Sequence, residues 1–289
     1  MSDAHQQARA KLSELIENAK KGAIIPVRLP GQLEEIAALL DAEETADGPP
    51  SSGDADIDAL VHEQAEFIST AVHELRTPMT SIRGYSDMLG TPSMGELNPM
   101  QQQFLDTIRT NTKRMEGLLQ DISDISKLQG DVLRLTEKMD MFKNIAGIIE
   151  KETAPVAEEY NKPLTFDIPQ GLPLLNTDGE YFAKAIRKFV ENGVKYSGED
   201  GEVTVRAHAD DGTLVVEVED NGIGMSDEEL GKIGTIYWRS DNEAVREHKG
   251  SGLGTAIAFG ILDQLGAKYT IESTDGEGTK ITVRIAGMT

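Results

Sequence analysis

The strongest constraint in this chain is a run in which Phe104, Ile108, Asn111, Met115, Leu118, Ile122 and Ile125 recur at alternating steps of 4 and 3. Such spacing makes a heptad seam, here with one polar layer at Asn111. Asn98-Pro99 starts this helix with a cap and a first-turn proline. An earlier helix is expected over 57–89, where Val72, Leu75, Met79 and Ile82 share a face and Pro78 removes one backbone hydrogen bond. Gly90 to Gly95 reads as the turn between them. An antiparallel hairpin with one apolar stripe per helix has too narrow a core to stand alone. Pairing two hairpins into a four-helix bundle solves this and implies a homodimer; closure of the bundle by the chain's own N-terminal helices stays open as the alternative.

After Gly130 the pattern changes. Val132 to Thr136 alternates like a strand, Met141 to Tyr160 reads as a helix, and Leu164 to Ile168 is extended. Asp178 to Tyr196 is a further helix, and Glu202 to Ala209 and Leu214 to Asp220 are strands joined by the hairpin signal Asp210-Asp211-Gly212. A helix after Leu253 and strands Lys268 to Ser273 and Thr279 to Ile285 complete the region. Helices and strands without regular alternation indicate an α+β sandwich with helices on one sheet face.

The N-terminal part is different again. Ala8, Leu12, Leu15, Ile16 and Ala19 mark one helix, Ile24 to Leu29 is extended around Pro26, and Leu33 to Leu40 is a second short helix. Between Leu29 and Leu75 there are twelve acids and no Lys or Arg, with Gly and Pro concentrated from Asp47 to Asp54. That composition reads as a linker, with an ordered acidic loop as the alternative. Over all 289 residues, Lys+Arg 28 against Asp+Glu 50 gives 28 − 50 = −22, which argues against nucleic acid as a partner. Cys is absent, so disulfides, thiol catalysis and Cys-type zinc sites are excluded. Neither an apolar run of about 20 residues nor an apolar signal core is present, so no membrane span and a cytoplasmic location are expected.

Three segments carry chemistry in the second half. Asn192 and Lys195 sit near the end of the helix Asp178 to Tyr196, Asp220-Asn-Gly222-Ile-Gly224 follows a strand, and Gly250-Ser-Gly252-Leu-Gly254 precedes a helix. Glycines at a strand end and a helix start let backbone N–H groups approach a polyphosphate, whose charge the helix N-terminus favours. An Asn oxygen suits Mg²⁺ bridging phosphates, and Lys195 neutralises phosphate charge. The Asp220 carboxylate accepts from the exocyclic amine of adenine and has nothing to donate to a guanine carbonyl. The polar stretch between Gly224 and Gly250 reads as a lid; Arg239 in it is placed to reach a terminal phosphate, and Tyr237 and Trp238 to anchor it. Earlier, His73 neighbours the seam residue Val72 without lying on it, so its ring should stand at the bundle surface as a nucleophile. Glu74 beside it is suited to take the proton from the other ring nitrogen; by composition alone, a helical His beside Glu also reads as a solvated polar face.

The segment His73-Glu-Leu-Arg-Thr-Pro78, followed in order by the Asn192, Asp220–Gly224 and Gly250–Gly254 segments, resembles the sensor histidine kinases of two-component systems. The resemblance covers about residues 57–287. It implies a dimerisation and histidine phosphotransfer domain over 57–130 and a Bergerat-type catalytic ATP-binding domain over 131–289, preceded by a linker at 47–56. Residues 1–46 weakly resemble a HAMP-type relay. The resemblance implies autophosphorylation of His73 with Glu74 as base, ATP and Mg²⁺ as cofactors, and transfer to an aspartate on a response regulator receiver domain. It makes Asn192 the metal ligand and assigns Lys195, Tyr196, Asp220, Gly222, Gly224, Arg239, Gly250, Gly252 and Gly254 to the nucleotide. Thr77 with Glu74 matches a Glu-x-x-Thr pattern linked to dephosphorylation of the partner, implying a bifunctional enzyme.

One departure stands out. The family usually has a second Asn where this chain has Lys188, and Ala where it has Gly193. A charged Lys does not ligate Mg²⁺, so it contacts phosphate directly or metal coordination is weaker, and slow autophosphorylation is expected. The rival reading is a catalytically weak ATP-binding scaffold. A gyrase- or chaperone-type ATPase is disfavoured, since such proteins lack the His73 segment and no Glu lies one turn before Asn192 to activate water.

Overall fold

The computed structural model describes Lys11 and residues 54–288, apart from Glu199 and Lys249. The expectations for residues 1–46, and for the linker up to residue 53, lie outside the described residues. The chain divides into two compact units, Met1–Leu133 and Arg134–Thr289.

In the first unit, α1 (Asp54–Leu89) is helical from Asp54 onward, so residues 54–56 belong to it rather than to the linker. It continues through Pro78, and the Thr77 hydroxyl donates to the His73 carbonyl at 3.4 Å. A single 3₁₀ turn, Pro92–Met94, leads to α2 (Pro99–Gln129). Asn98 caps α2 in a reciprocal box with Gln101, with Pro99 in the first turn. The hairpin core is built from Leu75 and Met79 of α1 and Met115 and Leu119 of α2, all essentially inaccessible. Each such side chain contributes about 1.5–3 kcal/mol by leaving water. Polar pairs fix the register: Arg76 Nη2 donates to Gln120 Oε1 at 2.9 Å, and Arg83 pairs with Glu116 at 2.8 Å.

The heptad seam of α2 divides between two directions. Met115 and Ile125 are buried within the hairpin, joined there by Leu105, Thr112 and Leu119, which lie beside the seam. Phe104 and Ile108 instead remain 60% and 37% exposed in the single chain.

The second unit is built on a five-stranded sheet in the order β2-β4-β5-β7-β6: β2 (Leu164–Asp167), β4 (Val203–Asp210), β5 (Thr213–Asp220), β6 (Lys268–Thr274) and β7 (Gly278–Ala286). Only β2 and β4 run parallel. One face presents Val203, Val205, Leu214, Val216, Val218, Ile281 and Val283, all buried, while Arg206, Glu217, Glu219, Lys280 and Arg284 lie on the other. This one-sided alternation is what an antiparallel sheet with one covered face requires. The cover is α3 (Phe142–Glu159), α4 (Gly179–Tyr196) and α7 (Gly254–Gln264). Asp211 and Gly212, at φ 46° and 76°, form the two-residue turn between β4 and β5.

One expected strand is absent. Residues 132–137 have no strand partner, and the Thr136 N–H is taken by Asp178 Oδ2 at 2.8 Å. The strand lies further on, as β1 (Lys138–Met141), because its partner β3 (Leu174–Thr177) is set in register opposite those residues.

Candidate functional site

In the first unit, His73 is exposed on α1 while its neighbours Ala71, Val72 and Leu75 are buried. The helix thus holds the imidazole outward on a rigid base. Pro78 has no N–H to give the Glu74 carbonyl, so the turn that carries His73, Glu74 and Thr77 lacks one intrahelical bond. Glu74 and Thr77 are one turn apart, on one side of the helix.

In the second unit, the three sequence segments converge. Asp220 ends β5, and its Oδ1 accepts the Gly222 N–H at 2.9 Å, while the carboxylate also takes a backbone hydrogen bond from Thr279. Burial nevertheless dominates and pushes this carboxyl above the usual carboxylate range. The following loop is tied to the end of α4, with the Ile223 N–H donating to the Tyr196 carbonyl at 3.1 Å. Close backbone approach explains its glycines. A Cβ on Gly222 would lie 2.6 Å from the Tyr196 oxygen, and one on Gly224 (φ 62°) would lie 1.8 Å from the Thr274 oxygen.

On α4, the Asn192 amide donates to Thr255 Oγ1 at 3.2 Å, leaving the amide oxygen as its other polar atom. The Lys195 ammonium lies 3.9 Å from Glu191. Gly193 brings α4 tight against Asp220, since a Cβ there would sit 3.2 Å from the Asp220 Cβ. Across from this face, α7 starts at Gly254 with Leu253 in the cap position and no side-chain cap. Its first N–H groups are therefore available to an outside acceptor, with the positive end of the helix behind them.

The segment between Gly224 and Gly250 holds two short helices, α5 (Asp227–Leu230) and α6 (Glu243–Glu247). Its organising side chains are Glu229 and Arg239. Glu229 accepts from the Ser226 backbone at 2.9 Å and from the Ser240 hydroxyl; these bonds, Ser240 first, hold its carboxyl below the ordinary value. Arg239 donates to the carbonyls of Val245, His248 and Gly250. The guanidinium thus ties the segment to its own backbone, where sequence reasoning had placed it on a phosphate. Tyr237, at φ 63°, lies backbone to backbone against Gly252: a Cβ on Gly252 would meet its carbonyl carbon at 2.6 Å. The His248 ring stands 5.5 Å from Tyr160 and 5.8 Å from Tyr196, closing one side.

Among the described residues no group of three His, Cys, Asp or Glu is able to hold a metal ion. Asn192 supplies a neutral oxygen, which would suit a Mg²⁺ that brings most of its ligands as phosphate and water. Sequence reasoning missed Thr255, Gly278 and the Thr279 N–H. Gly278 approaches the Asp220 carbonyl so closely that a Cβ would fall 2.1 Å from it, and the only sequence signal was its place after the Asp275-Gly276 turn.

Fold and site together define a helical hairpin that exposes a histidine and an α/β unit whose glycine-lined loop leads into the uncapped start of α7. Residues 63–131 match the His Kinase A (phospho-acceptor) domain, and residues 177–287 match the histidine kinase-, DNA gyrase B-, and HSP90-like ATPase family. The chain is 26% identical over 292 residues to the histidine protein kinase DivJ of Caulobacter vibrioides, covering 99% of this chain and 48% of that protein. It is 32% identical over 228 residues to the aerobic respiration control sensor protein ArcB of Escherichia coli, covering 77% and 28%. The chain thus spans less than half the length of these two relatives. Full-length ShkA, solved in complex with AMPPNP, shares the fold at a TM-score of 0.64 and 22% identity, over 78% of this chain and 46% of that one. The chain belongs to the two-component sensor histidine kinases.

Proposed function

We propose that the chain is an ATP-dependent protein-histidine kinase that phosphorylates His73 and passes the phosphoryl group to an aspartate on a response regulator receiver domain. The observation that carries this reading is the convergence of Asn192, Lys195, Asp220 and the uncapped start of α7 in one unit of a chain whose other unit exposes His73. Asp220 accepts the adenine amine. The N–H groups opening α7, the Gly250–Gly254 backbone and Lys195 neutralise the triphosphate. Asn192 would hold a Mg²⁺ on the protein side, whose charge would offset that of the phosphate oxygens. The neutral His73 ring attacks the γ-phosphorus: an N–P bond forms, the bond to the β,γ-bridging oxygen breaks, and ADP leaves with that electron pair. Glu74 takes the proton released from the other ring nitrogen. Positioning and charge neutralisation supply most of the acceleration in such transfers.

The exposed α2 residues Phe104 and Ile108 support a homodimer in which two hairpins complete a four-helix bundle. Glu74 and Thr77, one turn apart, support a second activity that orients water to dephosphorylate the regulator. No described helix is long and apolar enough to cross a membrane. Incubation with γ-labelled ATP and Mg²⁺ tests the kinase reading. Acid-labile, alkali-stable label on the wild type and none on His73→Gln is the expected result. Release of free phosphate without labelled protein makes the chain an ATPase, and neither product makes it a scaffold; both overturn the reading.

A further inference from the structure

On α4, Arg187, Glu191 and Lys195 follow one another at single-turn intervals, with the carboxylate between the two cations. Glu191 Oε2 lies 3.9 Å from the Lys195 ammonium, and Oε1 lies 3.6 Å from Arg187 Nε. Arg187 is held in turn by Glu152 of α3 at 2.7 Å, so the carboxylate is fixed from the turn opposite Lys195. At about 100° per residue, Lys195 stands between Glu191 and Asn192 around the helix axis. Its ammonium can therefore turn toward the phosphates on the Asn192 side or toward Glu191, and here it is drawn toward Glu191. The Glu191 and Lys195 side chains are 20% and 29% exposed, so water and salt screen their attraction only in part. A cation shared between a carboxylate and a phosphate gives less to the phosphate than one that faces it alone.

We propose that Glu191 is a positioning residue that acts through Lys195: it competes with the nucleotide phosphates for the ammonium, and so holds down the affinity of the site for ATP and ADP alike. The inference rests on the nucleotide-site reading above, in which Lys195 meets the phosphates. Glutamine at 191 keeps the length and shape of the side chain, removes its charge and leaves the ammonium to the phosphates. Adenosine has no phosphate, so its binding is indifferent to this exchange and reports on the base end of the site alone.

The test is calorimetric titration of the full chain with ATP, ADP and adenosine at low ionic strength, using the wild type, Glu191→Gln, Lys195→Gln and the double variant. Glu191→Gln should bind ATP and ADP about two- to fivefold more tightly, the share expected of a partly exposed ion pair, with adenosine affinity at the wild-type value. Lys195→Gln should weaken ATP binding, and in that background most of the gain from Glu191→Gln should disappear. ATP affinity of Glu191→Gln at or below the wild-type value overturns the proposal while leaving the nucleotide site intact. An equal gain in the Lys195→Gln background also overturns it, since the carboxylate then acts without Lys195, as does a matching gain for adenosine, which reports packing rather than charge. If Lys195→Gln binds ATP as the wild type does, or the wild type binds neither ATP nor adenosine, the nucleotide-site reading fails and the proposal with it.

Discussion

Replacing Asp220 with asparagine keeps the shape of the side chain and removes its charge. In the folded protein this carboxylate accepts backbone N–H groups from Gly222 and Thr279, and the proposed role adds the adenine amine as a third donor. Asparagine has one acceptor oxygen, so it satisfies at most part of this set, and its own NH₂ confronts a donor. Loss of a hydrogen bond to a charged group costs about 1.5–3 kcal/mol, or about 10–100-fold in ATP affinity at 1.4 kcal/mol per tenfold. Stability should respond differently. Burial raises the Asp220 carboxyl above its ordinary value, so between that value and the raised one the native state binds more protons than the unfolded state. Stability due to this group therefore falls as pH rises through that window, and the charged form is a net cost at neutral pH. Asp220→Asn removes that cost against the loss of about one backbone hydrogen bond, so unfolding at pH 7 should change little, and the contribution of this group to the acid-side pH slope should vanish. In the wild type, ATP affinity should fall on acidification through the same window, because a protonated Asp220 has lost acceptor capacity. Calorimetric ATP titration and thermal unfolding, each from pH 4 to pH 8, measure both quantities. A folded Asp220→Asn that binds ATP within about twofold of the wild type refutes the reasoning.

Three further outcomes follow from the geometry. Gly224→Ala adds a Cβ 1.8 Å from the Thr274 oxygen at a positive φ, and should cost at least about 1–3 kcal/mol, read as a lower melting temperature of the ATP-binding unit. Phe104→Glu combined with Ile108→Glu puts charge on the outward part of the α2 seam, and sedimentation should show dimer for the wild type and monomer for this variant. Arg239→Ala leaves the carbonyls of Val245, His248 and Gly250 without their shared donor, so limited proteolysis should cut between Gly224 and Gly250 about tenfold faster while the sheet stays folded.

The helices and glycine segments were legible because each rests on local physics. A 4-3 spacing specifies a helix whatever surrounds it, and glycines at strand ends and helix starts mark a backbone that must come close to something. What stayed hidden depended on partners far along the chain. Val132 to Thr136 has strand-like alternation and no strand to pair with, while Lys138–Met141 pairs with Leu174–Thr177, a stretch too short for its own alternation to show. The α2 seam was read as one stripe, yet a helix in a bundle has more than one neighbour, and spacing alone does not say that Leu105 and Leu119 turn inward while Phe104 turns out. Within the site, Asp220 and Asn192 stand out in the sequence by side-chain type, while their neighbours Gly278 and Thr255 do not. Nor do the partners of Arg239, because they are backbone carbonyls, which every residue has.

The contact between Tyr237 and Gly252 joins the lid segment to the Gly250–Gly254 loop main chain to main chain. A joint of that kind does not depend on which side chains the lid carries. The lid is therefore open to extensive change in composition, charge and length elsewhere without uncoupling from the loop, provided residue 252 stays glycine. Any shift of the backbone at Gly252 must therefore be accommodated at Tyr237 as well, by the path of the chain and not by the choice of side chains there.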